Sequence, residues 1–151
     1  MRDDYFLRER LEYLWNNAFN DVERKNIVKI RFKGKWKNKF GHIKKLKNND
    51  SEIVINGYFR DLKIPTYIID LTIAHELVHY SHGFNSPLPR LYNHPHKGGI
   101  VNKDLKKRGF SEALKLEKKW IKEEWQKIAN EEFKLKQKII AKPIRGLFRW
   151  F

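Results

Sequence analysis

Apolar side chains recur at Leu7, Leu11, Leu14, Ala18 and Val22, with Trp15 and Phe19 beside them. Steps of three and four predict an amphipathic helix over residues 4–22, packed by one face on a core. The pattern changes near Asn26. Ile27-Val28-Lys29-Ile30-Arg31-Phe32 is β-branched and alternating, which predicts a strand. Gly34 and Asn38 offer turns, and Lys39-Phe40-Gly41-His42-Ile43 is the expected hairpin partner. After a turn at Lys47-Asn48-Asn49-Asp50, Glu52-Ile53-Val54-Ile55-Asn56 predicts a third short strand.

Pro65 and Thr66 open the next helix, Pro being tolerated at a helix start and Thr able to cap it. Ile68, Ile69, Leu71, Ile73, Ala74, Leu77 and Val78 cover nearly every side of it, so it belongs in the middle of the domain. It ends by Gly83. Residues 85–96 read as loop, and a short helix is expected from Val101 to Arg108, stopped by Gly109. A long helix starts at Ser111-Glu112 and is expected to end near Lys142, before Pro143. Leu114, Ile121, Ile128 and Leu135 recur at heptad spacing along it, with Trp125 and Ile139 adding to the stripe. Such a helix packs across the domain or pairs with a second copy as a homodimer. The tail from Ile144 to Phe151 alternates basic and aromatic residues.

This order of elements predicts an α+β fold: an N-terminal helix, a small sheet, a buried central helix and a C-terminal helical extension. Residues 1–110 form the expected domain and residues 111–151 the amphipathic helix and tail. A chain of 151 residues holds one core, not two. No run approaches the ~18 apolar residues of a membrane span. The N-terminus lacks a basic segment followed by an apolar one, so a cytoplasmic protein is expected.

The chain has no cysteine. That excludes disulfides, thiolate zinc ribbons, iron–sulfur centres and Cys nucleophiles, and leaves His, Asp, Glu or water as metal ligands. His75-Glu76-Leu77-Val78-His79 supplies a fitting pattern, H-E-x-x-H on the buried helix. Residues i and i+4 share a face one turn apart, so both imidazoles reach one ion. Glu76 stands beside that face, where its carboxylate can act as base toward a water on the metal. A catalytic zinc usually takes a third protein ligand. His82 overshoots by a turn, Glu112 and Glu117 lie further on, and His94 and His96 follow a loop long enough to fold back. Spacing does not separate the last two. His42, in the expected hairpin, reads as structural. Tyr92 or a backbone N–H could stabilise an oxyanion, and no pattern chooses between them.

Residues 51–110 resemble the SprT-like (Spartan-type) family of zinc metallopeptidases, some of which act on proteins crosslinked to DNA. The resemblance rests on the strand Ser51–Asn56, the helix Ile68–His79, and His94-Pro95-His96-Lys97-Gly98-Gly99 followed by the basic stretch Asn102–Phe110. The N-terminal helix and the hairpin also fit a minimal, zincin-like layout. The resemblance implies a zinc metalloendopeptidase with His75, His79 and His96 as ligands and Glu76 as catalytic base. His94 stays the alternative because Lys97 separates His96 from Gly98. Many relatives carry a Cys-based zinc ribbon after this domain. Here the C-terminal helix and aromatic tail stand in its place.

Charge adds a second expectation. The net charge of +15 is blocked: +11 over residues 24–47 and +9 over 97–151, against −3 over 1–23 and −2 over 48–96. Such blocks suit a polyanion, so nucleic acid is an expected partner through segments 24–47 and 97–151. Lys29, Arg31, Lys33, Lys35, Lys37 and Lys39 alternate opposite Phe32, Trp36 and Phe40, a face that could track phosphates and stack a base. It could equally be a solvated sheet face. For Trp120, Trp125, Phe148, Trp150 and Phe151, packing is the simpler reading and a binding edge the other. The rival to a peptidase is therefore a nucleic-acid-binding module whose zinc is mainly structural.

Overall fold

Asp3 caps the first helix by accepting the Phe6 backbone N–H at 3.0 Å. The computed structural model describes residues 1–148, and the side chains of residues 1–132 and 134–138. Two compact units make up the chain, Met1–Lys115 and Leu116–Phe151.

In the first unit, α1 (Asp4–Ala18) buries Leu7, Leu11, Leu14 and Trp15; it stops short of the expected residue 22, leaving Val22 of the apolar stripe beyond its end. Three strands follow, β1 (Val28–Lys33), β2 (Gly41–Lys45) and β3 (Ser51–Asn56), then α2 (Thr66–Ser81) and α3 (Ile100–Lys107). The fold is α+β. Thr66 does not cap α2: it is the first helical residue, behind Pro65, and no side chain caps that end.

The expected hairpin of residues 27–43 does not form. The sheet order is β1-β3-β2, with β1 parallel and β2 antiparallel to the central β3. Burial explains the order. Every residue of β3 is buried, whereas β1 and β2 each carry exposed positions. A strand apolar on both faces loses least to solvent when it is paired on both edges. Gly34 then takes a left-handed φ of 75°, and the chain leaves the sheet until Gly41. The lysine alternation is therefore a sheet feature only at Lys29, Arg31 and Lys33. Lys35, Lys37 and Lys39 lie in the connecting loop.

Asn56, fully buried at the end of β3, holds that loop in place. Its Nδ2 donates to Trp36 O at 2.7 Å and to Lys39 O at 2.8 Å, and its Oδ1 accepts from Tyr58 N. Helix α2 lies against the sheet and α1. Arg10 of α1 grips Asp70 of α2 with two hydrogen bonds, 2.8 and 2.7 Å.

From Ser111 onward the helix is not uniform. α4 (Ser111–Trp120) leads through a π-helical turn at Ile121–Trp125 into α5 (Gln126–Phe148). Helix α5 continues past Pro143, contrary to the expected stop. The wide turn shifts the buried face. Trp120, Trp125 and Ala129 are buried, while Leu135 of the heptad stripe is exposed. A five-residue step in a π turn brings Trp120 and Trp125 onto one side, where their rings stack with centroids 5.8 Å apart. The side chains of Ile139, Phe148, Trp150 and Phe151 lie outside the described ones. Among the described residues, no helix is long and apolar enough to cross a membrane.

Candidate metal centre

The central helix is buried on almost all sides, and its polar residues are therefore under constraint. Glu76 and His79 are 4% and 5% exposed, and His75 is half-buried. One turn separates His75 from His79, and their rings meet edge to face. The Nε2 atoms stand 3.1 Å apart. The loop after α2 brings a third imidazole to the same point, with His96 Nε2 at 3.0 Å from His79 Nε2. All three nitrogens lie within 4.8 Å of one another, the arrangement of a group that could hold a metal ion. Of the two histidines left open by spacing, His96 is in this cluster and His94 is not.

Backbone geometry puts His96 there. The residues after it, Gly98 and Gly99, adopt left-handed φ of 75° and 66°. A Cβ at either would meet nothing, so the glycines serve the turn itself rather than close packing. They turn the chain from His96 into α3.

Electrostatics suits a cation. Burial pushes the His75 imidazole down to about 4, helped by His96. It pushes His79 down to about 3, with His75, His96 and His82 adding to the effect. Near neutral pH both rings are uncharged and keep lone pairs for a ligand bond. Burial pushes the Glu76 carboxyl up to about 8, an effect Lys39 partly offsets. A tetrahedral ion with metal–nitrogen bonds of about 2.0–2.1 Å separates its ligand nitrogens by about 3.3 Å. The two close spacings need to open by only a few tenths of an ångström. The donor set is one that could hold a metal ion.

No family model, no curated protein and no solved structure matches this chain. What the site can do is read from its own residues.

The other sequence candidates sit elsewhere. His82 is buried, and its Nε2 lies 2.8 Å from Asp104 Oδ2, so that ring is occupied by a carboxylate. Glu112 is exposed and pairs with Lys115. Glu117 belongs to the second unit. His42 stacks near Trp36 on β2, with a buried Nδ1 that has no partner among the described residues. Tyr92 packs edge-on against His82 and is 42% exposed. On β1, Lys29 pairs with Asp50 and Arg31 with Glu52, which Lys44 also reaches. That neutralises part of the expected phosphate-facing surface.

Sequence reading missed one network. Asp104 binds His82 through Oδ2 and Arg108 Nε through Oδ1, and Arg108 reaches on to Asp21 and Ala18 O. The Asp104–Arg108 spacing of i, i+4 was a visible signal. Its links to His82 and Asp21 span chain separations that local spacing does not encode.

Proposed function

We propose that this chain is a zinc-dependent metalloendopeptidase of zincin-like, SprT-like type. The reading is carried by one observation: the imidazole nitrogens of His75 and His79 on α2 and of His96 after it lie together, and α2 also carries the buried Glu76.

A zinc ion held by His75, His79 and His96 would polarise a peptide carbonyl and acidify a coordinated water. The three rings supply neutral nitrogen donors from two elements, α2 and the turn before α3. Glu76 takes the proton of the attacking water and delivers it to the leaving amine. Its burial excludes bulk water from the carboxyl, and a dication held by the three rings would favour the ionised form that a base requires. The test is Glu76→Gln. Peptidase activity against an unfolded protein substrate should fall by at least ~100-fold, because general base catalysis contributes on that scale. Zinc content should not change. Equal activity in both proteins would refute the peptidase reading.

A nucleic-acid partner is the second reading, favoured by the loop after β1. There Lys35 lies over the Tyr58 ring and Lys39 over the Trp36 ring, with centroid distances of 5.4 and 4.7 Å. With DNA-associated proteins as substrates the two readings combine; alone, this one describes a binding module with a structural zinc. Neutralising several phosphates gives affinity that falls steeply with salt. A flat salt dependence excludes it.

A further inference from the structure

His96 comes from a stretch with little to hold it. Residues 87–99 contain no strand or long helix, and His96 itself is exposed. The segment just before is well tied: Phe84 N donates to His79 O, Ser86 Oγ to Tyr80 O, and Ser51 Oγ to Asn85 O. From Leu91 onward the ties converge on one residue. Leu91 N donates to His82 O at 3.0 Å, and the His82 ring meets Asp104 of α3 at 2.8 Å. His82 therefore holds the arm before His96 through its backbone and the helix after it through its side chain. Tyr92 packs on the same ring.

Asp104 is fixed in turn. Arg108, one turn on, takes its other oxygen at 2.8 Å and anchors to Ala18 O at the end of α1. Val101 and Leu105 of α3 are buried. The carboxylate thus has one orientation available. His82 lies three residues beyond ligand His79, and Asp104 lies eight beyond His96.

We propose that the His82–Asp104 pair is a positioning brace for the metal centre, fixing the arm that presents His96 to His75 and His79. The proposal rests on the metal reading above. The brace touches neither the ion nor a substrate. It restricts the freedom of the arm, so that His96 meets the two helix ligands at a high effective concentration and binding loses little ordering entropy. Residues that orient metal ligands from outside the ligand set change affinity by about 10–100-fold when removed.

The test is zinc affinity by competition with a chromophoric chelator, with thermal stability of the metal-free protein measured beside it. Asp104→Ala and His82→Leu should each bind zinc about 10–100-fold more weakly than wild type. His82→Gln keeps a donor at the same reach toward Asp104 and should bind as wild type does. Asp21→Asn removes the outer partner of Arg108 and should lower stability at unchanged zinc affinity. Wild-type affinity in both Asp104→Ala and His82→Leu overturns the brace. So does a loss in Asp21→Asn as large as theirs, since the effect would then follow stability alone. If Asp104→Ala does not fold, His82→Gln against His82→Leu decides by the same criterion. A wild-type chain that takes up no zinc overturns the metal reading and the brace together, whereas zinc-binding wild type with unaffected variants overturns the brace only.

Discussion

Gly41, the first residue of β2, sits directly on Thr72 of α2. A Cβ at Gly41 would stand 2.9 Å from Thr72 Cγ2 and 2.8 Å from Val54 O. Thr72 is one turn before Glu76, so this contact sets how closely the edge strand approaches the face of the helix that carries Glu76.

Gly41→Ala is expected to destabilise the fold by about 1–3 kcal/mol, because neither the Val54 carbonyl nor a buried Thr72 yields easily. The backbone there has no positive φ, so the effect comes from crowding alone. Denaturant unfolding measures it. Wild-type stability in the alanine variant would show that the sheet and α2 are further apart than described.

Asn56→Ala should cost about 2–4 kcal/mol, since it leaves two loop carbonyls, of Trp36 and Lys39, and the Tyr58 N–H after β3 without their side-chain partner. The loop bearing Lys35 and Lys39 should loosen at the same time. Faster amide exchange at the Gly57 N–H, which donates to Gly34 O at the start of that loop, beyond the global change, checks the local part.

Asp70→Asn weakens the paired hydrogen bonds from Arg10. Both side chains are partly exposed, so the expected loss is modest, about 1 kcal/mol. Arg10→Ala and the double variant complete a cycle. A coupling energy of zero would mean that α1 and α2 are held by apolar burial alone.

Glu117 makes stability depend on pH. Burial pushes its carboxyl up to about 7 from an ordinary value of 4.5. The folded chain thus keeps a proton that the unfolded chain releases in that window, and stability falls as pH rises from about 4.5 to 7. Glu117→Gln removes this contribution. Discounted for partial exposure, it should be more stable than wild type by roughly 1–2 kcal/mol at pH 8 and should match it near pH 4. A difference between the two proteins that stays constant with pH would contradict the assignment.

The helices and the histidine pair were legible because their information is local. Spacing of i and i+4 fixes the relation of His75 to His79 once the helix is granted, and the apolar coverage of residues 68–78 granted it. The strands of residues 28–33 and 51–56 were visible from β-branched runs, but their parallel pairing was not. A hairpin between neighbours is the cheaper guess, and only the two-sided burial of Ile53, Val54 and Ile55 argues for a central β3. The π turn at Ile121–Trp125 hid behind a plausible heptad. Seen afterwards, the five-residue gap between Trp120 and Trp125 was its trace. His94 and His96 could not be separated by spacing, because the choice depends on how Gly98 and Gly99 turn the chain. The contact of Asp104 with His82 depends on the same turn.

Zinc K-edge X-ray absorption on the chain loaded with one equivalent of zinc reads the ligand set itself. Three imidazole nitrogens at about 2.0–2.1 Å, with one light atom completing a four-coordinate shell, are expected. The same spectrum is expected from His94→Ala, and one imidazole fewer from His96→Ala. A six-coordinate shell of oxygens, or a wild-type spectrum from His96→Ala, would contradict it.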